Sequence, residues 1–316
     1  MSALGYYPGC SLSSSASEYD RSLRAVAGQL GVELREIPDW ICCGATSAHA
    51  IDHNAALCLA ADTLAKARRA GLTEVLAPCA MCYQRLAVAA HELKHNPKIA
   101  AAMDEAPGLE KIKPLSILGW LGNGADEQLV GRGEPPARPP SVNQSRTDDP
   151  AGRPYPKSEA IKAKVTRPLP GLKVACYYGC LLVRPPKITG IHQVEAPRQM
   201  EDIVTLLGGQ PVRWSMATEC CGASFALSQK STVLRQGRRI YDAAKKAGAD
   251  VFCLACPMCH ANLDMRQGEM GIAGTDQLPV LYLTQLIGWA LGLDAATLGL
   301  DKHFVPTAGA LAKEKS

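Results

Sequence analysis

Cys42-Cys43-Gly44-Ala45 returns later in the chain as Cys220-Cys221-Gly222-Ala223. The residues around this motif repeat in the same order. The further matched pairs are Tyr6–Cys10 with Tyr177–Cys180, Cys79-Ala80-Met81-Cys82 with Cys256-Pro257-Met258-Cys259, and Gly119-Trp120 with Gly288-Trp289. Four matches in one order indicate an internal duplication, so we predict two similar halves.

Length and composition are those of an ordinary globular protein. The 316 residues are enough for two domains that each bury a core. Hydrophobic residues make up 47% of the chain, and 34 basic side chains nearly balance 30 acidic ones. This balance implies no broad phosphate-binding field, and the 5% aromatic content argues against a stacking surface for bases. We therefore expect no nucleic-acid partner.

Thirteen cysteines are the unusual feature of the composition. Their number is odd, and residues 1–9 lack the basic start and apolar run of a secretory signal, so we expect cytoplasmic thiols that bind metal or do redox chemistry. The apolar stretch Leu278–Leu293 has 16 residues, which is too short to span a bilayer. We predict a buried helix there and no membrane span.

Strand and helix patterns alternate in each half. The predicted strands are 3–7, 32–37, 74–77, 173–177, 211–215 and 251–254, and the predicted helices are 16–30, 54–70, 80–95, 197–207 and 232–247. This alternation predicts an α/β fold of two tandem pseudo-repeated domains, each a small mainly parallel sheet with flanking helices. The cysteine motifs fall at strand-to-helix junctions, where ligands gather in such sheets, so their thiols should converge.

Composition also suggests where the domains begin and end. We predict a first cluster-binding domain at 1–123, a Pro-rich insertion or linker at 124–164, a second cluster-binding domain at 165–300 and a loose tail at 301–316. The Pro-rich stretch resists helix and sheet alike. It is either a surface linker or a recognition arm for a partner protein.

The cysteine spacing favours a metal centre with several irons. The intervals within a set are 31 and 35 residues in the first half and 39 and 34 in the second. Tetrahedral zinc takes four ligands and has little use for adjacent cysteines. In a multi-iron cluster, neighbouring thiolates can bind different irons, and the start of a helix after Cys79 favours an anionic group.

This pattern resembles the cysteine-rich CCG domain pair of the heterodisulfide reductase B subunit. The resemblance implies that each half binds a noncubane [4Fe-4S] cluster through five cysteines. The implied ligands are Cys10, Cys42, Cys43, Cys79 and Cys82 in the first half and Cys180, Cys220, Cys221, Cys256 and Cys259 in the second. It also implies two partners that correspond to the C and A subunits of that enzyme: an iron-sulfur protein with cubane clusters and a flavin protein.

The implied function is that of the catalytic oxidoreductase subunit of a multi-subunit complex, acting on a disulfide, a thiol or a sulfane-sulfur substrate. Two directions stay open: reduction of a heterodisulfide of the methanogenic type, and oxidation of sulfane-sulfur or thiol substrates in a bacterial heterodisulfide-reductase-like complex. The chemistry is assigned to the cluster irons, and no catalytic side chain is predicted. Two alternatives stay open: a thioredoxin-like enzyme in which each Cys-x-x-Cys attacks disulfides, and a non-catalytic zinc protein.

The remaining candidates lie outside the ten cysteines. We predict that Cys58 and Cys253 are buried small hydrophobes and that Cys176 is not a ligand. Arg184 and Lys187, with Arg198, are candidates to bind an anionic substrate. His260 is either a hydrogen-bond partner of a cluster sulfur or a histidine on a helix surface.

Overall fold

The structure is a computed structural model that describes residues 3–45, 47–101, 108–122 and 156–312. Most of the predicted Pro-rich insertion therefore lies outside the described residues. Among the described helices, none combines the length and the apolar composition that crossing a bilayer requires.

The first half contains four short strands and seven α-helices among its described residues. In chain order they are β1 (Leu4–Tyr6), α1 (Gly9–Leu12), α2 (Ser17–Gln29), β2 (Leu34–Glu36), α3 (Ser47–Ile51), α4 (His53–Arg69), β3 (Glu74–Leu76), α5 (Ala80–His95), α6 (Pro97–Ala101), β4 (Lys113–Leu115) and α7 (Ile117–Leu121).

The second half repeats the four strands with more helical segments. In chain order they are α8 (Pro156–Lys162), β5 (Lys173–Tyr177), α9 (Pro186–Thr189), α10 (Gln199–Leu206), β6 (Gln210–Pro211), α11 (Lys230–Lys246), β7 (Val251–Leu254), α12 (Pro257–His260), β8 (Val280–Tyr282), α13 (Leu283–Ala290), α14 (Ala295–Leu298) and α15 (Ala308–Leu311). A π-helical turn, Ala261–Met265, continues α12.

The two sheets have the same topology. The first has the strand order β2-β1-β3-β4, the second has the order β6-β5-β7-β8, and every pairing is parallel. This confirms the predicted α/β class with two pseudo-repeated sheets. The chain changes direction across the sheet between β1 and β3, and ligands of parallel sheets bind at such a point.

The sheet register shows where the first half has one residue more than the second between the double cysteine and the Cys-x-x-Cys motif. From the double cysteine to the end of the next strand the spacing is equal, because Leu76 and Leu254 each follow 32 intervening residues. Two residues then precede Cys79, whereas one precedes Cys256. The extra residue, Pro78, therefore lies in the loop that leads into the Cys-x-x-Cys motif.

Two segments differ from the sequence-based prediction. The apolar run 278–293 is not one helix, because β8 forms a buried edge strand before α13 begins. The predicted loose tail is also wrong for residues 301–312, which pack against the rest of the second half. Val305 and Leu311 are buried, and the carboxylate of Asp264 accepts hydrogen bonds from the backbone N–H of Phe304 at 2.7 Å and of Val305 at 3.2 Å.

The two halves pack directly against each other. Helix α2 of the first half contacts α13 and α14 of the second. The hydroxyls of Ser22 and Thr284 lie 2.7 Å apart in this buried interface, and the rings of Tyr19 and Tyr282 stack at 4.1 Å. The interface brings the carboxyl ends of the two sheets together.

Candidate metal centre

The thiols of the first set come together at the carboxyl ends of β1, β2 and β3. The Cys43 and Cys82 sulfurs lie 3.5 Å apart, and the Cys82 thiol also hydrogen-bonds Cys79. A hydrogen bond to Cys43 and burial raise the pKa of Cys42, and the nearby Cys10 raises the pKa of Cys42 further. All five cysteines of the set are thus connected.

The second set has the same arrangement. The Cys221 and Cys259 sulfurs lie 3.5 Å apart, and Cys259 also hydrogen-bonds Cys256. The Cys180 thiol hydrogen-bonds Cys220. The predicted convergence of the cysteine motifs thus occurs in both halves.

The two sets meet at one contact. The Cys79 and Cys256 side chains hydrogen-bond each other across the boundary between the halves. Both residues precede the first turn of a helix, α5 in one half and α12 in the other. The thiols therefore form one connected group that extends from one sheet to the other.

The crowding divides the thiols between two protonation states. Hydrogen bonds from Cys42 and Cys82 lower the pKa of Cys43 to about 3. In the second half a hydrogen bond from Cys180 lowers the pKa of Cys220 to about 6. The pKa values of the donating thiols are raised in turn, so complete ionisation of a set needs bound cations.

Backbone N–H groups point at the sulfurs. The N–H of Gly222 donates to Cys220 Sγ at 3.3 Å. Bonds of the same kind run from Gly44 to Cys42, Ala45 to Cys43, Cys82 to Cys79 and Cys259 to Cys256. N–H donors of this kind stabilise thiolate-rich iron-sulfur clusters. Five thiols, two of them adjacent in sequence, with such donors fit a polynuclear iron cluster better than a single zinc ion.

Glycines allow the first cysteine of each set to approach the last. Gly9 has a φ of 64°, and a Cβ there would lie 2.9 Å from the Cys82 sulfur. Gly179 has a φ of 63°, and a Cβ there would lie 3.2 Å from the Cys259 sulfur. A side chain at either position would strain the backbone and crowd a thiol.

Solvent exposure differs among the thiols of each set. Cys10, Cys42 and Cys220 are exposed, and Cys180 is half-buried. The remaining members of both sets are buried, and they include all four cysteines of the Cys-x-x-Cys motifs. Solvent exposure is therefore confined to the first cysteine of each set and the first member of each double cysteine.

Two tyrosines support the double cysteines, and the sequence analysis did not assign them. The Tyr7 hydroxyl donates to Ile41 O at 2.7 Å, and the Tyr177 hydroxyl donates to Glu219 O at 2.7 Å. Each carbonyl belongs to the residue just before a double cysteine. Burial raises the pKa of Tyr7, and the nearby thiols raise it further, so the hydroxyl stays a donor.

The other tyrosine of each pair bonds an acidic side chain, but it comes first in one pair and second in the other. In the first half the preceding tyrosine, Tyr6, bonds Asp20 of α2. In the second half the following tyrosine, Tyr178, bonds Glu201 of α10. The Tyr-Tyr motif therefore identifies the right segment. Matching the two pairs in sequence order, however, would pair Tyr6 with Tyr177, which have different hydrogen-bond partners.

The position three residues after the last cysteine differs between the halves. Asn262 donates to Cys221 O at 3.2 Å and contacts Cys221 Sγ at 3.5 Å. Its counterpart is Arg85, a half-buried cation that bonds His49 and lowers the pKa of Cys43. The two sites are therefore electrostatically unequal.

The three other cysteines lie outside the sets. Cys176 and Cys253 are buried and paired in register across β5 and β7, which confirms the predicted burial of Cys253. The prediction for Cys58 is wrong, because this residue is exposed on α4. That helix is so rich in alanine that the sequence does not define which face is buried.

Both expectations for His260 are wrong. The residue is only 6% exposed, its Nε2 lies 2.9 Å from His303 Nδ1, and it hydrogen-bonds the Val280 backbone. The Gln285 amide, oriented by backbone groups on both sides, donates to His303 Nε2 at 2.8 Å. The chain of donors thus runs from Gln285 through His303 to His260, and it braces the C-terminal segment.

The basic candidates differ in their surroundings. The Arg184 guanidinium donates to Thr218 O and to Glu195, each at 2.7 Å, and Thr218 lies two residues before Cys220. Lys187 is exposed on α9, which packs against α5 of the first half. Arg184 therefore braces the loop that carries the double cysteine.

A family model described as the cysteine-rich domain CCG matches residues 4–87 and again residues 174–264. Each match contains one complete set of five cysteines. A crystal structure of a hypothetical protein from Helicobacter pylori has a TM-score of 0.63 at 12% identity and covers 96% of this chain, which spans 51% of that protein. This likeness shows the fold alone.

Three relatives match this chain along nearly its full length and nearly the full length of their own. The 8-methylmenaquinol:fumarate reductase membrane anchor subunit of Wolinella succinogenes is 32% identical over 95% of this chain and 96% of its own. The B subunit of the ferredoxin:CoB-CoM heterodisulfide reductase of Methanosarcina mazei is 28% identical over 99% of this chain and 97% of its own. The B subunit of the ferredoxin/F(420)H(2)-dependent CoB-CoM heterodisulfide reductase of Methanosarcina acetivorans is 26% identical over the same shares.

These findings agree with the geometry of the thiols. The two family matches cover more than half of the chain, and the duplicated domain and the heterodisulfide reductase relatives support an iron-sulfur oxidoreductase subunit. The chain belongs to the CCG cysteine-rich domain family, in which its relatives include the heterodisulfide reductase B subunit.

Proposed function

We propose that this chain is the sulfur-reacting subunit of a heterodisulfide-reductase-like complex and that it carries two noncubane [4Fe-4S] clusters. The observation that carries the proposal is the approach of the two cysteine sets at Cys79 and Cys256, where the carbonyls just before these cysteines lie 3.2 and 3.3 Å from one shared hydroxyl. A disulfide takes up two electrons and two protons to give two thiols. Two adjoining one-electron centres suit that stoichiometry.

The chain's own residues would hold the clusters. The ten cysteines of the two sets are the proposed ligands, with the buried Cys-x-x-Cys thiols deepest and the exposed Cys10, Cys42 and Cys220 nearest to solvent. When bound, each cluster supplies one electron and an iron that can accept a sulfur ligand. Tyr7 and Tyr177 hold the double cysteines through the preceding carbonyls.

Burial argues against the thioredoxin-like alternative. In such enzymes the first cysteine of the Cys-x-x-Cys motif is a partly exposed nucleophile. Here Cys79 and Cys256 are 2% and 5% exposed, and they face each other rather than solvent. The zinc alternative leaves one thiol of each connected set of five without a role.

Partners, substrate and location belong to the same proposal. We expect a cubane-cluster iron-sulfur protein and a flavin protein to exchange electrons with this chain, and the many free thiols suit the reducing cytoplasm. The substrate is a disulfide, a thiol or a sulfane sulfur, including the bacterial sulfur-oxidising case. An anionic substrate would have to displace Glu195 from Arg184, whereas Lys187 is exposed.

The fumarate reductase relative supports a second candidate. Its 32% identity over 95% of this chain supports a role as the electron-carrying component of a quinol-linked complex. In that case the clusters would pass electrons between partner proteins without binding a substrate sulfur. The fold and the thiol geometry are compatible with both candidates.

Variants with a single cluster test the proposal. Cys43→Ala and Cys221→Ala, each checked for the opposite cluster by its spectrum, should both lose disulfide reduction with an artificial electron donor, because one cluster supplies one electron. About half of the activity in both variants would overturn the paired mechanism. Wild-type protein that exchanges electrons with a quinol but reduces no disulfide would favour the second candidate.

A further inference from the structure

Tyr19 of α2 lies between the two cysteine sets. Its side chain is fully buried, and its hydroxyl lies 3.2 Å from Pro78 O and 3.3 Å from Ala255 O. These two residues immediately precede Cys79 and Cys256. A hydroxyl carries one hydrogen, so a single donor is shared by the loops that enter both Cys-x-x-Cys motifs.

The hydroxyl stays a donor in this position. Burial raises the pKa of Tyr19, and the neighbouring Cys79 and Cys256 raise it further, so the proton is retained. Without it, two converging carbonyl oxygens would repel each other in a dry interior. The shared hydrogen thus offsets a repulsion between the two loops.

The second half holds the ring in place. Tyr19 stacks on Tyr282 with centroids 4.1 Å apart and planes 9° apart. Tyr282 stacks in turn on His260 at 4.5 Å and 14°. His260 follows Cys259 directly, so one stack connects α2 of the first half with the cysteine motif of the second.

We propose that Tyr19 is a positioning residue for both sites, whose shared hydrogen bond sets the separation of the Cys79 and Cys256 loops. The separation of the two proposed clusters follows from it, and this consequence rests on the proposed function. The placement of the thiols themselves does not, because the Tyr19 hydroxyl contacts the two loops directly.

Tyr19→Phe tests the proposal, since it keeps the ring and its stack but removes the hydroxyl. In anaerobic apoprotein treated with a mild oxidant, the Cys79–Cys256 disulfide, identified by peptide mass mapping, should form about tenfold more slowly, because a lost bond of about 1.4 kcal/mol corresponds to a factor of ten. The matched control is Tyr6→Phe, which removes the hydroxyl of another fully buried tyrosine that bonds Asp20. The control should form the disulfide at the wild-type rate.

Iron-loaded protein gives a second readout. Magnetic coupling between the two reduced clusters, seen as splitting of the electron paramagnetic resonance signals, should weaken in Tyr19→Phe and not in Tyr6→Phe. Fluorotyrosine at position 19 keeps the hydroxyl as a stronger donor and should strengthen the coupling. This variant decides the question if Tyr19→Phe does not fold.

The outcomes separate this proposal from the proposed function. Cross-linking and coupling equal to the control in Tyr19→Phe, or coupling unchanged by fluorotyrosine, would overturn the positioning role while two clusters remain. Wild-type protein without iron would overturn the proposed function. In that case the cross-linking rates of the apoprotein would still decide the role of Tyr19.

Discussion

Gly9 shows how one missing side chain shapes a thiol site. Gly9→Ala places a Cβ 2.9 Å from the Cys82 sulfur at a φ of 64°, where a left-handed alanine costs about 1 kcal/mol before the clash is counted. We expect lower stability of the apoprotein in urea and loss of about half of the bound iron. Gly28→Ala is the control, because nothing lies within 4 Å of that position in α2. It should bind the full amount of iron and gain up to about 1 kcal/mol.

Cys58, which lies outside the two sets, and Cys42, which belongs to one, should respond differently to replacement by serine. Cys58→Ser should leave the iron content unchanged, because Cys58 is exposed on α4 and outside both sets. Cys42→Ser should remove or convert one cluster, since the double cysteine separates this site from a four-cysteine site. Iron analysis of anaerobically purified variants checks this. Equal iron loss in both variants would contradict the assignment of ligands.

Repetition predicts residues whose role depends on local motifs. The ten cysteines could be selected from the sequence, because each belongs to a motif that occurs twice. Tyr19 and His260 could not, since their side-chain partners include Pro78, which is 59 residues away, and His303, which is 43 residues away. The exchange of Asn262 for Arg85 at equivalent positions was also invisible, because nothing in the spacing marks a residue after the last cysteine.

The C-terminal segment forms an element that the sequence pattern did not reveal. Burial lowers the pKa of His303 to about 4, below the 6.5 of free histidine. At pH 5 the unfolded chain therefore binds a proton that the folded chain does not. The contribution of His303 to the free energy of unfolding is complete above pH 6.5 and is lost as the pH falls towards 4.

His303→Gln tests this assignment, because glutamine does not titrate. The difference in unfolding free energy between wild-type and variant apoprotein should be largest near pH 7.5 and should shrink at pH 5. Urea unfolding at a series of pH values measures it. A difference that does not change with pH would show that His303 is not held neutral in the fold.

Hydrophobic periodicity in the sequence does not define the bounds of strands that are only two or three residues long. The three predicted strands of each half occur, although β6 has two residues and overlaps the region predicted as 211–215 only at Pro211. The fourth strands, β4 and β8, were missed because each is three residues long and runs directly into an apolar helix. Continuous apolar sequence does not separate a buried strand from the helix after it.

At the scale of the whole molecule, duplication produces a shared centre. Each half presents its thiols at the carboxyl ends of its own parallel sheet, and the packing of α2 on α13 and α14 turns those ends towards each other. The sequence predicted two equivalent sites. Their contact at Cys79 and Cys256 depends on the interface between the halves, and no motif records that interface.

The iron and acid-labile sulfide content of anaerobically purified protein tests the central claim most directly. Two five-cysteine sites that each hold a [4Fe-4S] cluster predict about eight irons and eight sulfides per chain, with brown colour and iron-sulfur absorption. Zinc without iron and sulfide, or full disulfide turnover by metal-free protein, would contradict the account.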